Sequence, residues 1–332
     1  MTSDYRKRTI LITGGCGFIG TNLGKYLFDR GYKVRILDNL STSSRIWATD
    51  RRQSKLPPVA LITGDIRDRE VVEKAVAGVD TVVHLAAYTN LVDSLANPDE
   101  VFDINVNGTF NLLEACHHHG VENFIFASSN ATVGEQAPPI DETKVPQPLS
   151  PYGASKLAGE VLCSTYHHSF GLRSVSLRFA NCYGPYSEHT PIVATAFMRW
   201  AREGKPLIIY GDGNQTRDFV HVDDVCYAVY LSLMALDSGL STQDSQRVVP
   251  DSNSRVFQIG SGVETSINQL AEMITAVTGN NLQTIHEPER KGEVKRNCSD
   301  ISKARALLGF EPKVKLEEGL RHLWEWLKEA DR

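Results

Sequence analysis

The sequence predicts an α/β fold, a doubly wound parallel sheet with a smaller mixed α/β C-terminal lobe, and three observations predict it. From residue 9 to about 180, short apolar, β-branched runs alternate with stretches of helical periodicity, as strand–helix–strand units require. The first run enters a glycine-rich turn, Thr13-Gly-Gly-Cys-Gly-Phe-Ile-Gly20, which opens an amphipathic helix ending near Arg30. After residue 182 the alternation gives way to segments rich in Gly, Pro and charge.

Taken in order, strands are predicted near 9–13, 33–38, 59–63, 80–85, 122–128 and 173–179, with helices between them. Two helices, roughly 98–119 and 151–170, are long and carry Leu112, Leu113, Leu157, Val161 and Leu162. Such apolar faces serve core packing or pairing across a dimer axis, and a homodimer is expected. Further helices are predicted near 191–203, 222–236, 266–278 and 315–330. The expected division is a Rossmann-type domain over 1–181 with a return near 220–262, and a substrate lobe over 182–332, mainly 182–219 and 263–332. Asp237 to Arg255 is polar and reads as a mobile surface insertion.

The chain of 332 residues, 41% hydrophobic and 23% charged, has room for a large core, so disorder as a class is excluded. A net charge of −5 without basic tracts speaks against nucleic acid and against a polybasic membrane surface. No long apolar segment precedes the first strand, so no signal peptide or membrane span is expected, and a cytoplasmic protein is. Six cysteines without CxxC pairs read as reduced, buried thiols, with neither disulfides nor a metal site expected. The run His117-His118-His119 precedes Gly120, where cations complement a helix C-terminus, so it is read as a solvated helix end and not as metal ligands.

The glycine turn has the chemistry of a dinucleotide site. Gly14 allows the tight turn, Gly17 lets backbone approach a pyrophosphate, and Gly20 lets helix pack on strand. The second strand, Lys33-Val-Arg-Ile-Leu-Asp38, ends on a carboxylate that can accept from both ribose hydroxyls and would repel a 2′-phosphate. NAD is therefore expected over NADP. Downstream, Tyr152-Gly-Ala-Ser-Lys156 places a lysine one helical turn after a tyrosine, so that a cation beside the phenol is expected to lower its pKa and make it a base. With Ser128-Ser129 closing a strand, this describes a hydride-transfer site.

At these positions the chain resembles the extended short-chain dehydrogenase/reductase family, within it the NAD-dependent nucleotide-sugar epimerases and dehydratases, and most of all the UDP-glucose 4-epimerases. The matching elements run nearly full length: the glycine turn, Asp38-Asn-Leu, Gly64-Asp-Ile66, His84-Leu-Ala-Ala87, Asn105-Val-Asn-Gly-Thr109, Ser128-Ser129, Tyr152 with Lys156, Arg178-Phe-Ala-Asn181, Gly211-Asp-Gly213, Arg217-Asp-Phe-Val-His-Val-Asp-Asp224 and Pro288-Glu-Arg290. The resemblance implies catalysis by Ser129, Tyr152 and Lys156. It implies NAD held by Gly14, Gly17, Phe18, Ile19, Gly20, Asp38, Asn39, Asp65, Ile66, Leu85, Ala86, Ala87 and Asn105 together with Tyr152 and Lys156. A nucleotide-diphosphate sugar would be met by Ser129, Asn130, Asn181, Arg217 and Arg290; arginines suit a buried diphosphate because each is a bidentate cationic donor.

The segment Ala127-Ser-Ser-Asn-Ala-Thr-Val-Gly134 discriminates among activities. Asn130-Ala131 stands where family 4,6-dehydratases carry an Asp-Glu pair, and neither residue can give or take a proton. Decarboxylases of the family carry Glu where this chain has Ala131, so that reading weakens as well. The remaining Ser-Tyr-Lys set is that of an epimerase, expected to invert C4 of UDP-glucose/galactose or UDP-GlcNAc/GalNAc through a keto intermediate. A UDP-uronate 4-epimerase, an NDP-sugar 2-epimerase, another NDP-sugar oxidoreductase and, ranked lowest, a non-catalytic NAD-binding protein are the alternatives. Asn297 falls where 4-epimerases place a residue that can exclude N-acetyl groups, and its small size favours acceptance of N-acetylated sugars. Val133 departs from the tyrosine that the family commonly has before the glycine.

Overall fold

The computed structural model describes residues 8–41, 59–240, 255–289 and 294–330. In chain order the described elements begin with β1 (Thr9–Thr13), α1 (Phe18–Phe28), β2 (Lys33–Asp38), β3 (Ala60–Thr63), α2 (Arg69–Val76), β4 (Thr81–His84), α3 (Leu91–Ala96) and α4 (Pro98–Phe102). They continue with a π-helical segment (Asp103–Asn107), α5 (Gly108–His119), β5 (Asn123–Ser129), α6 (Pro151–Phe170), β6 (Arg173–Phe179) and β7 (Asn181–Tyr183). The C-terminal part holds α7 (Val193–Arg202), β8 (Leu207–Tyr210), β9 (Thr216–His221), α8 (Val222–Asp237), β10 (Val256–Ile259), β11 (Glu264–Ser266), α9 (Ile267–Thr278), β12 (Thr284–Glu287), α10 (Ser302–Leu308) and α11 (Leu316–Ala330).

The main sheet has seven strands in the order β10-β6-β5-β4-β1-β2-β3, every pair parallel. The strand order reverses beside β1, so the C-terminal ends of β1 and β4 open a crevice there, the usual ligand position of a doubly wound sheet. Strands such as Val82-Val83 and Phe124-Ile125-Phe126 are buried on both faces, which is why they read as unbroken apolar runs. One face packs under α1 and α8 around Leu23, Val225 and Phe257; the other under α2, α5 and α6 around Val72, Leu112 and Cys163. A third core, around Phe197, Leu270 and Leu323, joins α7, α9 and α11 to two small sheets, β11-β9-β7 and β12-β8, and forms the smaller lobe.

Two differences from the sequence reading bear on the site. The single helix predicted over 98–119 is α4 and α5 joined through the π-helical segment, and the extra residue in that turn carries Asn105 into the interior. The seventh strand, β10, is four residues long and follows directly on the polar segment, so periodicity alone did not reveal it within the expected return. Of the expected insertion, residues 241–254 lie outside the described residues.

The expectations for the cysteines and for the end of α5 are met. All six cysteines are free and buried. Gly120 caps α5 in the left-handed conformation, with His118 and His119 paired to Glu73. Among the described residues there is no helix long and apolar enough to cross a membrane and no cluster of three or more potential metal-ligating side chains.

Candidate active site

The glycine turn forms a tight cradle. Gly14 has φ +67°, and a Cβ there would lie 2.7 Å from the Ala86 nitrogen behind β4. At Gly20 a Cβ would fall 2.3 Å from the Gly14 carbonyl oxygen, which no side chain can occupy. Gly17 is the N-cap of α1; no side chain caps the helix there and no acidic residue occupies its first turn. The orphan amides of that turn therefore face an anion site without competition. Half-buried Phe18 and Ile19 follow, and Leu85, Ala86 and Ala87 are half-buried opposite.

Asp38 ends β2 beside this cradle. Its Oδ2 accepts the Cys16 amide at 2.9 Å and its Oδ1 the Leu40 amide at 2.8 Å. Burial raises its pKa while those two amides oppose the rise. Each oxygen keeps a lone pair, so two vicinal hydroxyls fit the same carboxylate. At the crevice rim, Asn39 Nδ2 donates to Asp65 Oδ2 at 2.9 Å, and Arg67 holds Asp65 through its backbone and guanidinium. The Arg67 hydrogen bonds bring the Asp65 pKa down to about 2. Ile66 is buried against Gly108, the first residue of α5, where a Cβ would meet Ile66 Cδ1 at 2.5 Å.

Local sequence also aims α6. Ser150 caps α6 by accepting the Gly153 amide at 3.1 Å, and Pro151 supplies its first turn. A Cβ on Gly153 would meet the Ala131 carbonyl oxygen at 2.4 Å, so only glycine lets α6 approach the turn that follows β5. That approach sets the Tyr152 phenol near the Ser129 side chain, whose Oγ accepts the Ala131 amide at 3.2 Å. Lys156, one turn on, is buried, donates from Nζ to the Ala127 carbonyl at 2.9 Å and lies 5.0 Å from the Phe126 ring centre.

Electrostatics here correct the sequence expectation for the phenol. Burial raises the Tyr152 pKa, and the nearby Ser129 hydroxyl opposes the rise. The ammonium is directed at Ala127 and is itself destabilised, its pKa reduced to about 8 by burial while Cys163 and Glu160 pull it upward. Tyr152 and Lys156 lie on the same helix, one turn apart, and burial works against the charged form of each.

This crevice, with its glycine cradle and Ser129–Tyr152–Lys156 set, coincides with a family match: residues 10–247 fit the NAD dependent epimerase/dehydratase family. The chain belongs to that family. It is therefore an enzyme of the extended short-chain dehydrogenase/reductase type acting on nucleotide-diphosphate sugars. It is 36% identical over 329 residues to a putative UDP-glucose 4-epimerase of Methanocaldococcus jannaschii, covering 97% of this chain and 99% of that one. Among solved structures, UDP-glucose 4-epimerase of Thermotoga maritima with UDP-glucose superposes with a TM-score of 0.85 at 33% identity, over 98% of this chain and 100% of that one. UDP-glucuronic acid 4-epimerase of Bacillus cereus with UDP-glucuronic acid and NAD gives 0.84 at 31% identity, over 97% and 99%.

The residues expected to meet the substrate come from distant segments. Asn181 on β7 and Arg217 on β9 lie on adjacent strands; Asn181 Nδ2 donates to the Asp218 carbonyl at 3.3 Å. Half-buried Arg217 donates from Nη1 to the carbonyls of Thr216 and Val294. Arg290 lies outside the described residues. Asn130 donates from Nδ2 to Asn297 Oδ1 at 3.2 Å and to Ser299 Oγ at 3.0 Å, and its Oδ1 is buried without a hydrogen-bond partner among the described residues. Asn297 is thereby tied to the catalytic turn.

Two residues of consequence escaped sequence reasoning. Asp218 is fully buried and accepts from Ser261 N, Ser261 Oγ, Gly262 N and Ser299 N, fastening β9 to both flanking segments. Ser155 takes a hydrogen bond from Asn105 and passes one to the Tyr152 carbonyl. Both stand inside quoted motifs, and an acid within an apolar strand or a serine on the buried face of the catalytic helix was the available signal.

Proposed function

We propose that the chain is an NAD-dependent nucleotide-sugar epimerase that inverts C4 through a 4-keto sugar, most readily on UDP-glucose/galactose or UDP-GlcNAc/GalNAc. The observation that carries this reading is the turn after β5: Ser129 stands near Tyr152, while Asn130 is engaged with Asn297 and Ser299 and Ala131 has no ionisable group. Oxidation of one hydroxyl needs only the base and its partner; dehydration or decarboxylation would need an acid that this turn lacks.

The cradle and Asp38 fit NAD, the pyrophosphate at the α1 N-terminus and the ribose hydroxyls on the carboxylate. Bound there, NAD would supply the oxidant for C4 and, once reduced, the reductant for the ketone. Tyr152 takes the hydroxyl proton, with Ser129 holding the phenol and the sugar oxygen in line. Lys156 contributes a buried cation beside the site and a donor for ribose hydroxyls. Arg217 and Arg290 anchor the diphosphate while the ketose turns about its link to it. Tyr152 returns the proton as the opposite face is reduced.

The domain division at about residue 181, with its return near 220–262, is part of this proposal, since it puts the base on one side of the crevice and the diphosphate arginines on the other. So is a homodimer. Its support is an apolar surface groove lined by Val106, Pro148, Ala154, Leu157, Ala158, Val161 and Leu162, with exposed Leu91, Leu95 and Phe102 on neighbouring helices. Light scattering should return twice the chain mass, and Val161→Glu should halve it.

The purified protein, without added cofactor, is to be incubated with UDP-glucose, UDP-GlcNAc and UDP-glucuronate and followed by proton NMR. A C4-inverted product from either of the first two supports the proposal; inversion of the uronate alone replaces it with the activity of the Bacillus cereus relative. Tyr152→Phe should keep the cofactor and lose roughly 10²–10⁴-fold in kcat. Near-normal turnover in that variant would remove Tyr152 from its role.

A further inference from the structure

An unbroken chain of buried polar groups runs from the loop behind β4 to the first turn of α6. Its centre is His84, the last residue of β4, which is shielded from solvent and packed between the rings of Phe124 and Phe126. Its Nδ1 lies 2.7 Å from Thr13 Oγ1 and its Nε2 lies 2.9 Å from Thr109 Oγ1.

Hydroxyl stoichiometry sets the direction of every bond, because each hydroxyl has one proton to give. Thr109 Oγ1 gives its proton to the Asn105 carbonyl at 2.5 Å, so toward His84 it can only accept, and Nε2 carries hydrogen. A neutral ring then leaves Nδ1 bare, to accept the Thr13 proton. Thr13 Oγ1 in turn accepts the Ala86 amide at 3.3 Å. On the far side Asn105 is oriented by Tyr88: Oδ1 accepts the Tyr88 amide at 2.7 Å, and Nδ2 donates to the Tyr88 carbonyl at 3.0 Å and to Ser155 Oγ at 2.9 Å. Ser155 spends its proton on the Tyr152 carbonyl at 2.8 Å.

We propose that His84 is a positioning residue, held as the neutral Nε2–H tautomer, which locks the Ala86 edge of the cofactor crevice to the helix turn that carries Tyr152. Both ends of the chain are groups of the site: Ala86 lies against Gly14, and Tyr152 is the base. A core histidine that only filled space would need neither end. Burial, aided by the positive charge of Lys156, brings the His84 pKa down to about 3, so the tautomer persists through the neutral range. The imidazolium would turn Nδ1 into a donor and oblige Thr13 to find another acceptor beside two aromatic rings. The role in turnover rests on the epimerase reading; the tautomer and the linkage do not.

The test uses the holoenzyme and two variants at Thr109. Thr109→Val keeps the shape and removes the acceptor for Nε2–H and the donor to Asn105, whereas Thr109→Ser keeps the hydroxyl. Nitrogen-15 NMR of labelled imidazoles, with the His84 ring identified by its loss in His84→Gln, should show that ring as neutral Nε2–H, unchanged across the neutral pH range, with signals that move in Thr109→Val and return in Thr109→Ser. Thr109→Val should lower kcat about 10–100-fold with KM little changed, and speed release of bound NAD, while Thr109→Ser restores both. An Nδ1–H ring or an imidazolium at that position overturns the proposal. So does full kcat in Thr109→Val, or a loss that follows only its folded fraction. If the wild type turns over no nucleotide sugar, the epimerase reading fails, and the tautomer and NAD-release arms still decide the His84 proposal.

Discussion

The two sides of the crevice are built differently. On the cofactor side, geometry is set by neighbours in sequence: Gly14 to Gly20 within one turn and helix, Ser150 capping the helix that carries Tyr152 and Lys156. On the side proposed to meet the substrate, the geometry depends on segments far along the chain. Arg217 reaches the Val294 carbonyl, Asn130 reaches Asn297 and Ser299, and Asp218 gathers Ser261, Gly262 and Ser299. Short-range geometry tolerates few substitutions at the positions that define it, whereas a side assembled from three segments can change its side chains one at a time. The difference matches a family that shares a cofactor and diverges in sugar.

Changes at the cofactor side should therefore be the more severe. Gly20→Ala places a methyl 2.3 Å from the Gly14 oxygen and 2.5 Å from Gly15 Cα, both backbone atoms that cannot give way. A loss of about 1–3 kcal/mol in unfolding free energy is expected from such overpacking, together with loss of NAD on gel filtration. Retention of both would mean that helix and turn are less tightly coupled than the geometry requires.

Arg217→Met comes next and tests the opposite side. Removing one charge-assisted contact to a diphosphate should cost about 1.5–3 kcal/mol of substrate binding. The expected signature is a higher KM or a weaker Kd for the nucleoside diphosphate, with NAD content and thermal midpoint unchanged. A fall in NAD content would tie Arg217 to the cofactor side and erase the contrast drawn here.

The smallest effect is a pH dependence of stability. Lys156 titrates at about 8 when folded, against an ordinary value of 10.5, because burial penalises the ammonium. Between those values the unfolded chain binds the additional proton, so this group makes stability rise as pH increases from about 8 to 10.5. Urea midpoints measured across that window should rise more steeply in the wild type than in Lys156→Met. Equal slopes would show that the lysine keeps its ordinary pKa. Turnover is expected to move the other way, falling as the same proton leaves a group placed beside the base.

Much of the cofactor side was legible in the sequence because its constraints are local. A glycine that must avoid a backbone atom six residues away, or a lysine four residues after a tyrosine, is visible as spacing. What the phenol experiences was not legible: the spacing of Tyr152 and Lys156 implied an activated pair, yet the lysine donates to Ala127 and burial raises the tyrosine. Asn105 was visible as part of a motif, but the π-helical turn that sends it inward was not, since a one-residue widening leaves no trace in apolar periodicity. The partners of Asn130 were not legible either, since Asn297 and Ser299 lie 167 and 169 residues further along the chain.

By itself the sequence determined the doubly wound sheet, the anion cradle at α1, the acid at the end of β2 and the placement of Ser129, Tyr152 and Lys156. The sheet, the cradle and the Tyr152–Lys156 spacing follow from the strand period, the helix period and the steric minimum of glycine, whereas the choice of Ser129 came from the family resemblance. Tertiary structure alone decided the protonation of His84, the direction of the Lys156 ammonium and the closure of Asp218 and Asn130 upon distant segments. Hydrogen-bond direction and desolvation depend on which groups meet in space, and no spacing along a chain encodes that.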